Sequence, residues 1–123
     1  MPSVTVILPT WNRAEWLETA VESVLTQTFR DYELIVVDDA STDSTAEIIE
    51  RYSRKIRCII LTKNWGVSAA RNAAVLKSDS EWIAFLDSDD YWHPEKLQKQ
   101  IEQTKIRQGF PIHYTDEIWI RNG

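Results

Sequence analysis

Glycine is scarce, with 3 residues in 123. No G-x-G-x-x-G turn follows the first apolar run, which disfavours a dinucleotide-dependent enzyme. There is one cysteine, Cys58, so an internal disulfide is excluded and a reducing compartment is expected. Cys58 lies in an apolar run and reads as a small buried hydrophobe. No apolar run approaches the ~18 residues that span a bilayer. Met1 to Val6 lacks the charged start and long apolar stretch of a secretory leader. The expected localisation is cytoplasmic, with membrane association left to a longer parent protein. Basic charge is also short: 14 Lys and Arg stand against 19 Asp and Glu, a net charge of −5. No basic face for nucleic acid is visible. A phosphate ligand would be repelled unless carboxylates held a divalent cation that reversed the local sign.

What is present is a globular composition, 43% hydrophobic and 27% charged, in a length that suits one domain over residues 1–123. Short β-rich runs alternate with helical patterns. Val4 to Leu8 is a strand closed by Pro9. Leu17, Ala20, Val21, Val24 and Leu25 then recur at helical spacing, with Asn12 placed to cap that helix. Leu34 to Val37 is a second strand, closed by Asp38 and Asp39. Ser44 and Glu47 fit a capping box for a second helix bearing Ile48, Ile49 and Tyr52. Arg57 to Thr62 reads as a third strand. Val67, Ala70, Ala74 and Val75 read as the core face of a third helix. Trp82 to Leu86 is a fourth strand, closed by Asp87. Pro94 suits the first turn of a helix carrying Leu97 and Ile101. Ile112 to Ile120 reads as a final strand with Trp119 on one face.

Strands apolar on both faces and alternating with helices predict a three-layer α/β/α domain with a mainly parallel sheet. In such sheets ligands bind beyond the carboxyl ends of the strands. Thr10, Trp11, Asp39, Asp87 and Asp89 all follow strand ends and should meet on one rim.

The sharpest chemical signal is Asp87-Ser88-Asp89-Asp90. Two carboxylates spaced D-x-D after a buried strand suit a hard divalent cation, Mn²⁺ or Mg²⁺, which takes oxygen ligands. Taken alone, the same residues could be an acidic loop capping the next helix. Asp38 and Asp39 could accept hydrogen bonds from a nucleobase or ribose, or be turn residues, and one of them is expected to be structural. Trp11, in Pro9-Thr10-Trp11-Asn12, could stack on a base, with core packing as the alternative. Arg71 sits among small residues that would let it approach a base or diphosphate, although an exposed helix charge is the commoner use. His93 and His113 lack metal-ligand spacing. Trp65, Trp82 and Trp92 read as packing residues.

Taken in order, four segments resemble the family 2 glycosyltransferases. They are Val6 to Asn12, Val36 to Asp43, Gly66 to Asn72 and Phe85 to Asp90. Leu25 to Phe29 also looks like that family's link into its second strand. The resemblance implies a GT-A, Rossmann-like nucleotide-diphospho-sugar transferase fold. Its donor would be a nucleoside-diphosphate sugar, often a UDP-sugar, used with Mn²⁺ or Mg²⁺. Pro9, Thr10, Trp11, Asn12, Asp39, Arg71 and Asp87 would form the nucleotide site. Within it, Asp39 matches the base-binding aspartate, Trp11 stands where a tyrosine is usual, Arg71 lies near the base and Asp87 on the ribose side. Asp89 would bind the metal.

The implied reaction is inverting transfer to an acceptor hydroxyl, on a saccharide, lipid or protein. The catalytic base is expected beyond residue 123, and neither Asp116 nor Glu117 is assigned to it. The tail carries no closing helix, so the chain is expected to be truncated before its acceptor-binding half. The alternatives are a nucleotide-sugar-binding module without turnover, which could form a homo-oligomer through an open sheet edge, and a phosphate-transfer domain with an acidic pocket.

Overall fold

The structure is a computed structural model that describes residues 2–106, 112–114 and 118–121. Its elements run β1 (Val4–Thr10), α1 (Ala14–Leu25), β2 (Tyr32–Asp38), α2 (Thr45–Arg51), β3 (Arg57–Ile60), α3 (Val67–Val75), β4 (Trp82–Phe85), α4 (Lys96–Ile106), β5 (Ile112–Tyr114) and β6 (Ile118–Arg121). They form one sheet in the order β3-β2-β1-β4-β6-β5. The first four strands pair in parallel, while β6 runs antiparallel to β4 and β5. The segment expected to be a single strand from Ile112 to Ile120 is therefore two, β5 and β6. Trp119 pairs with Ala84 through its backbone. Asp116 and Glu117 lie outside the described residues, as do the side chains of His113 and Trp119.

Period-two alternation divides each central strand between two cores. Val4, Val6 and Leu8 of β1, Leu34 and Val36 of β2, Trp82 and Ala84 of β4, and Leu86 just beyond it face one core. Leu17, Ala20, Val21 and Val24 of α1, Ile48 and Ile49 of α2, and Leu97 of α4 complete it. Ile7, Ile35, Val37 and Ile83 face the opposite core, which α3 covers with Ala70 and Ala74. The small side chains on α3 let that helix lie close to β1 and β2. The result is the expected three-layer arrangement. Among the described residues, no helix is long and apolar enough to cross a membrane.

β3 is an edge strand and is mostly exposed. Cys58, expected inside, is exposed there, because an edge strand buries little of its length and only Ile59 of β3 packs against a core.

Two capping expectations also change. The Asn12 side chain does not cap α1, and Ser44 makes no side-chain cap bond to α2. Asp43 serves both helices instead. Its Oδ2 accepts from the Ala14 amide at 3.3 Å, and its Oδ1 accepts from the Thr45 amide at 2.9 Å and from the Thr45 hydroxyl. A carboxylate reaches both helix starts because β1 and β2 end side by side.

The Tyr52 hydroxyl ties α2 to α1 by donating to Glu22 Oε1 at 2.9 Å. Burial, then the Glu22 carboxylate, push its pKa up to about 12 from 10.0. A raised folded-state pKa stabilises the fold fully below the unfolded value. That stability is lost as pH climbs from 10.0 through about 12. Tyr52→Phe should cost about 1 kcal/mol at pH 7. It should also flatten the alkaline part of a stability–pH profile, which urea melts from pH 8 upwards would read.

Candidate functional site

The chain leaves β1 towards β2 by way of α1, and returns from β3 over the other face by way of α3 to β4. The winding direction therefore reverses between β1 and β4, where a crevice opens beyond the strand ends. A cavity of about 610 Å³ lies there, walled by the β1 end (Thr10, Trp11), Asp39, the start of α3 (Gly66, Val67, Ala70, Arg71) and the β4 end (Asp87 to Asp89).

Backbone bonds extend the sheet into this rim. The Asp39 amide donates to Thr10 O at 2.9 Å, and the Leu86 amide to Ile7 O at 3.0 Å. Asp39 is 3% exposed, and its carboxylate receives two backbone amides, Trp65 to Oδ1 at 2.9 Å and Gly66 to Oδ2 at 2.8 Å. It thus anchors the turn into α3. Gly66 has φ +97°, a left-handed conformation that glycine adopts without strain, so this turn needs one of the chain's few glycines. Asp38 is also tied to backbone, since its Oδ1 accepts from the Ser41 amide at 3.0 Å.

Arg71 lies one turn and more into α3. Its Nη2 donates to Asp87 Oδ1 at 2.9 Å, and its guanidinium carbon sits 5.3 Å from the Phe85 ring centre. Both ion-pair partners are partly exposed, so the pair adds little to stability. Its consequence is geometric: it holds the guanidinium between α3 and the end of β4. Arg71 Nε and Thr10 Oγ1 are both buried with no hydrogen-bond partner, and both residues wall the same cavity. Orphaned buried donors of this kind call for a ligand or a water to satisfy them.

Asp87, Asp89 and Asp90 can bring one oxygen each within 4.8 Å of one another. Three carboxylates so close repel unless a cation joins them. Desolvation, with the Asp89 and Asp87 carboxylates adding to it, raises the Asp90 pKa above the usual value. Ser88, between them, is buried.

Of the residues read from the sequence, Pro9, Thr10, Trp11, Asp39, Arg71, Asp87 and Asp89 all border the cavity. Asn12 does not. Its backbone adopts φ 49°, and its Oδ1 accepts from the amides of Thr42 at 2.8 Å and Asp43 at 3.3 Å. It staples the β1–α1 loop to the β2–α2 loop. Trp11 is 47% exposed, which excludes the core-packing alternative. Trp65, read as a packing residue, is 64% exposed, whereas Trp82 and Trp92 are buried as expected. Arg13, Asn64 and Val67 also line the cavity. Sequence reading passed over Arg13 and Asn64 because single polar residues in a loop carry no periodic signal, whereas Val67, read as a core-face residue of α3, is 51% exposed. Asp90 was adjacent to the D-x-D motif and could have been included on that ground alone.

The profile described as Glycosyl transferase family 2 matches residues 5–108. The chain is similar to the "Putative teichuronic acid biosynthesis glycosyltransferase TuaG" of Bacillus subtilis. They are 42% identical over 104 residues, covering 82% of this chain and 41% of that protein. It is also similar to the "UDP-Glc:alpha-D-GlcNAc-diphosphoundecaprenol beta-1,3-glucosyltransferase WfaP" of Escherichia coli. There the identity is 35% over 128 residues, covering 100% of this chain and 51% of that protein. Among solved structures it is similar to S. aureus TarS 1-349 in complex with UDP. The TM-score is 0.78 at 33% identity, over 84% of this chain and 32% of that one. The chain thus spans between two fifths and about half of the two curated relatives. With that profile matching well over half of its length, from residue 5 to residue 108, the chain belongs to glycosyl transferase family 2.

Proposed function

We propose that this chain is the donor-binding portion of an enzyme that moves a sugar from a nucleoside-diphosphate sugar to an acceptor hydroxyl, with inversion at the transferred carbon. The observation that carries the reading is one cavity with two complementary walls. The buried, unpartnered Thr10 Oγ1 and Arg71 Nε lie on it, and Asp87 and Asp89 border it as part of a three-carboxylate cluster with Asp90. A nucleoside diphosphate joined to a divalent cation has the matching chemistry: polar groups for the orphaned donors and a positive ion for the acids. TarS, one third identical, has been solved with UDP bound, which favours a UDP-sugar. The name of TuaG favours an acceptor in cell-surface polysaccharide synthesis.

In this reading Trp11 stacks on the base, using an exposed ring at the end of β1. Asp39 reads the base edge with the lone pairs left by its two amide bonds. Arg71 lies beside the base and Asp87 takes the ribose side, in the order the family resemblance implies. All-oxygen donors at Asp89 and Asp90, with Asp87 close by, fit Mn²⁺ or Mg²⁺. Such an ion supplies charge neutralisation for the departing diphosphate. The acceptor oxygen forms its bond to the sugar carbon as the bond from that carbon to the diphosphate oxygen breaks. The acceptor's proton passes to a carboxylate base. We place that base, and the acceptor surface, in the further length that the relatives carry.

The test is a calorimetric titration of the chain with UDP, with and without Mn²⁺. Binding tighter with Mn²⁺ by roughly tenfold or more is expected if carboxylates and diphosphate share the ion. Equal affinity in both conditions would refute the metal assignment, and no binding in either would refute the donor site.

A further inference from the structure

The acidic loop has to hold three carboxylates within reach of one ion although all three are exposed. What steadies it is a residue on the far side of α1. Gln27 follows that helix, is 1% exposed, and spends its whole side-chain amide on backbone. Its Nε2 donates to Ser23 O at 3.0 Å and to His93 O at 2.7 Å. Its Oε1 accepts the Leu97 amide at 3.0 Å. The neighbouring Thr28 amide donates to Pro94 O at 2.9 Å.

These bonds close the start of α4. The Glu95 amide is met by His93 Nδ1 at 3.2 Å and the Lys96 amide by His93 O at 3.0 Å. Leu97 is met by Gln27, and Pro94 has no amide to satisfy. The Lys96 and Leu97 amides, first-turn donors that a helix cannot pair internally, are thus taken up locally and by one residue 70 positions earlier in the chain. Upstream, the loop is pinned at Asp87 by Arg71 and by the Asp90 amide, which donates to Asp87 O at 3.0 Å. Between these two anchors stand Asp89, Asp90, the exposed Tyr91 and the buried Trp92.

We propose that Gln27 is a positioning residue for the acidic loop, fixing the downstream end of Asp87 to His93 so that its carboxylates converge on one cation. This rests on the donor-site reading above. Gln27 touches neither nucleotide nor ion, and it acts through His93 and Leu97. Residues that orient metal ligands from behind typically shift metal affinity by about 10- to 100-fold when replaced. Gln27→Met keeps the length and removes all three hydrogen bonds. It should lower Mn²⁺ affinity, read with the ion alone by electron paramagnetic resonance, by roughly tenfold. Metal-free UDP affinity should stay within about twofold, because the β1 and α3 walls are untouched.

A general loosening of the fold would lower both affinities together. Ile49→Val, which trims the same core at α2, is the control for that. If Gln27→Met weakens Mn²⁺ no more than Ile49→Val does, or weakens metal-free UDP equally, the proposal is overturned. If the unaltered chain binds no Mn²⁺ at all, the donor-site reading fails first. Should Gln27→Met not fold, hydrogen exchange on the unaltered chain decides. Mg²⁺ should slow exchange at the Leu97 amide at least severalfold, and unchanged exchange would overturn the proposal.

Discussion

Asp39→Ala should lower the stability of this domain by about 3 kcal/mol and abolish detectable UDP binding at the same time. The two effects share one cause. Both carboxylate oxygens of Asp39 accept backbone amides, from Trp65 and Gly66, in a site that is 3% exposed. Removing them leaves two donors without partners next to the start of α3, and each hydrogen bond to a charged group is worth about 1.5–3 kcal/mol. The turn that carries Arg71 then loses its anchor, so this wall of the cavity is lost together with the carboxylate we propose to read the base. A urea melt reads the first effect and calorimetry the second. Asp39→Asn separates them: it keeps the size and one carbonyl acceptor, so it should recover part of the stability. A melt of Asp39→Ala that matches the unaltered chain would show that Asp39 does not hold the α3 turn.

Asp89→Ala should have the opposite profile. Its carboxylate is exposed, and no side-chain hydrogen bond or ion pair is recorded for it among the described residues, so the melt should move little. Relief of repulsion with Asp87 and Asp90 should offset part of any loss in the metal-free protein. Mn²⁺ affinity should fall by about a hundredfold or more, since a direct ligand matters at least as much as the residues that orient it, and UDP binding should lose its Mn²⁺ enhancement. Retained Mn²⁺ dependence would move the ion to Asp87 and Asp90. Together with Asp39→Ala, this variant separates a residue whose loss acts through the fold from one whose loss acts through the ion.

Much of the layout was legible in the residues. Val4 to Leu8, Leu34 to Val37 and Trp82 to Leu86 are runs that only a sheet covered on both sides would bury, and the structure buries them between two cores. The spacing of Leu17, Ala20, Val21 and Val24 placed α1 on its core face for the same reason. Errors fell where local patterns compete. Asn12 and Ser44 both look like helix caps, yet Asp43 caps both helices, because a cap is won by whichever carboxylate the tertiary fold brings nearest. Cys58 and Trp65 look like interior residues by type, yet β3 is an edge and the loop before α3 has no layer over it.

By itself, then, the sequence determined the alternation of strands and helices, the parallel sheet, and the rim on which Thr10, Trp11, Asp39, Asp87 and Asp89 would gather. Those properties follow from periodicity and from strand ends, which are local. Only the tertiary structure decided that Asp39 is spent first on two backbone amides, that Arg71 reaches Asp87, and that Gln27 closes a helix 70 residues away. Each of these is a contact between segments far apart in the chain. Such contacts depend on which strands lie side by side, and no spacing within one segment carries that information.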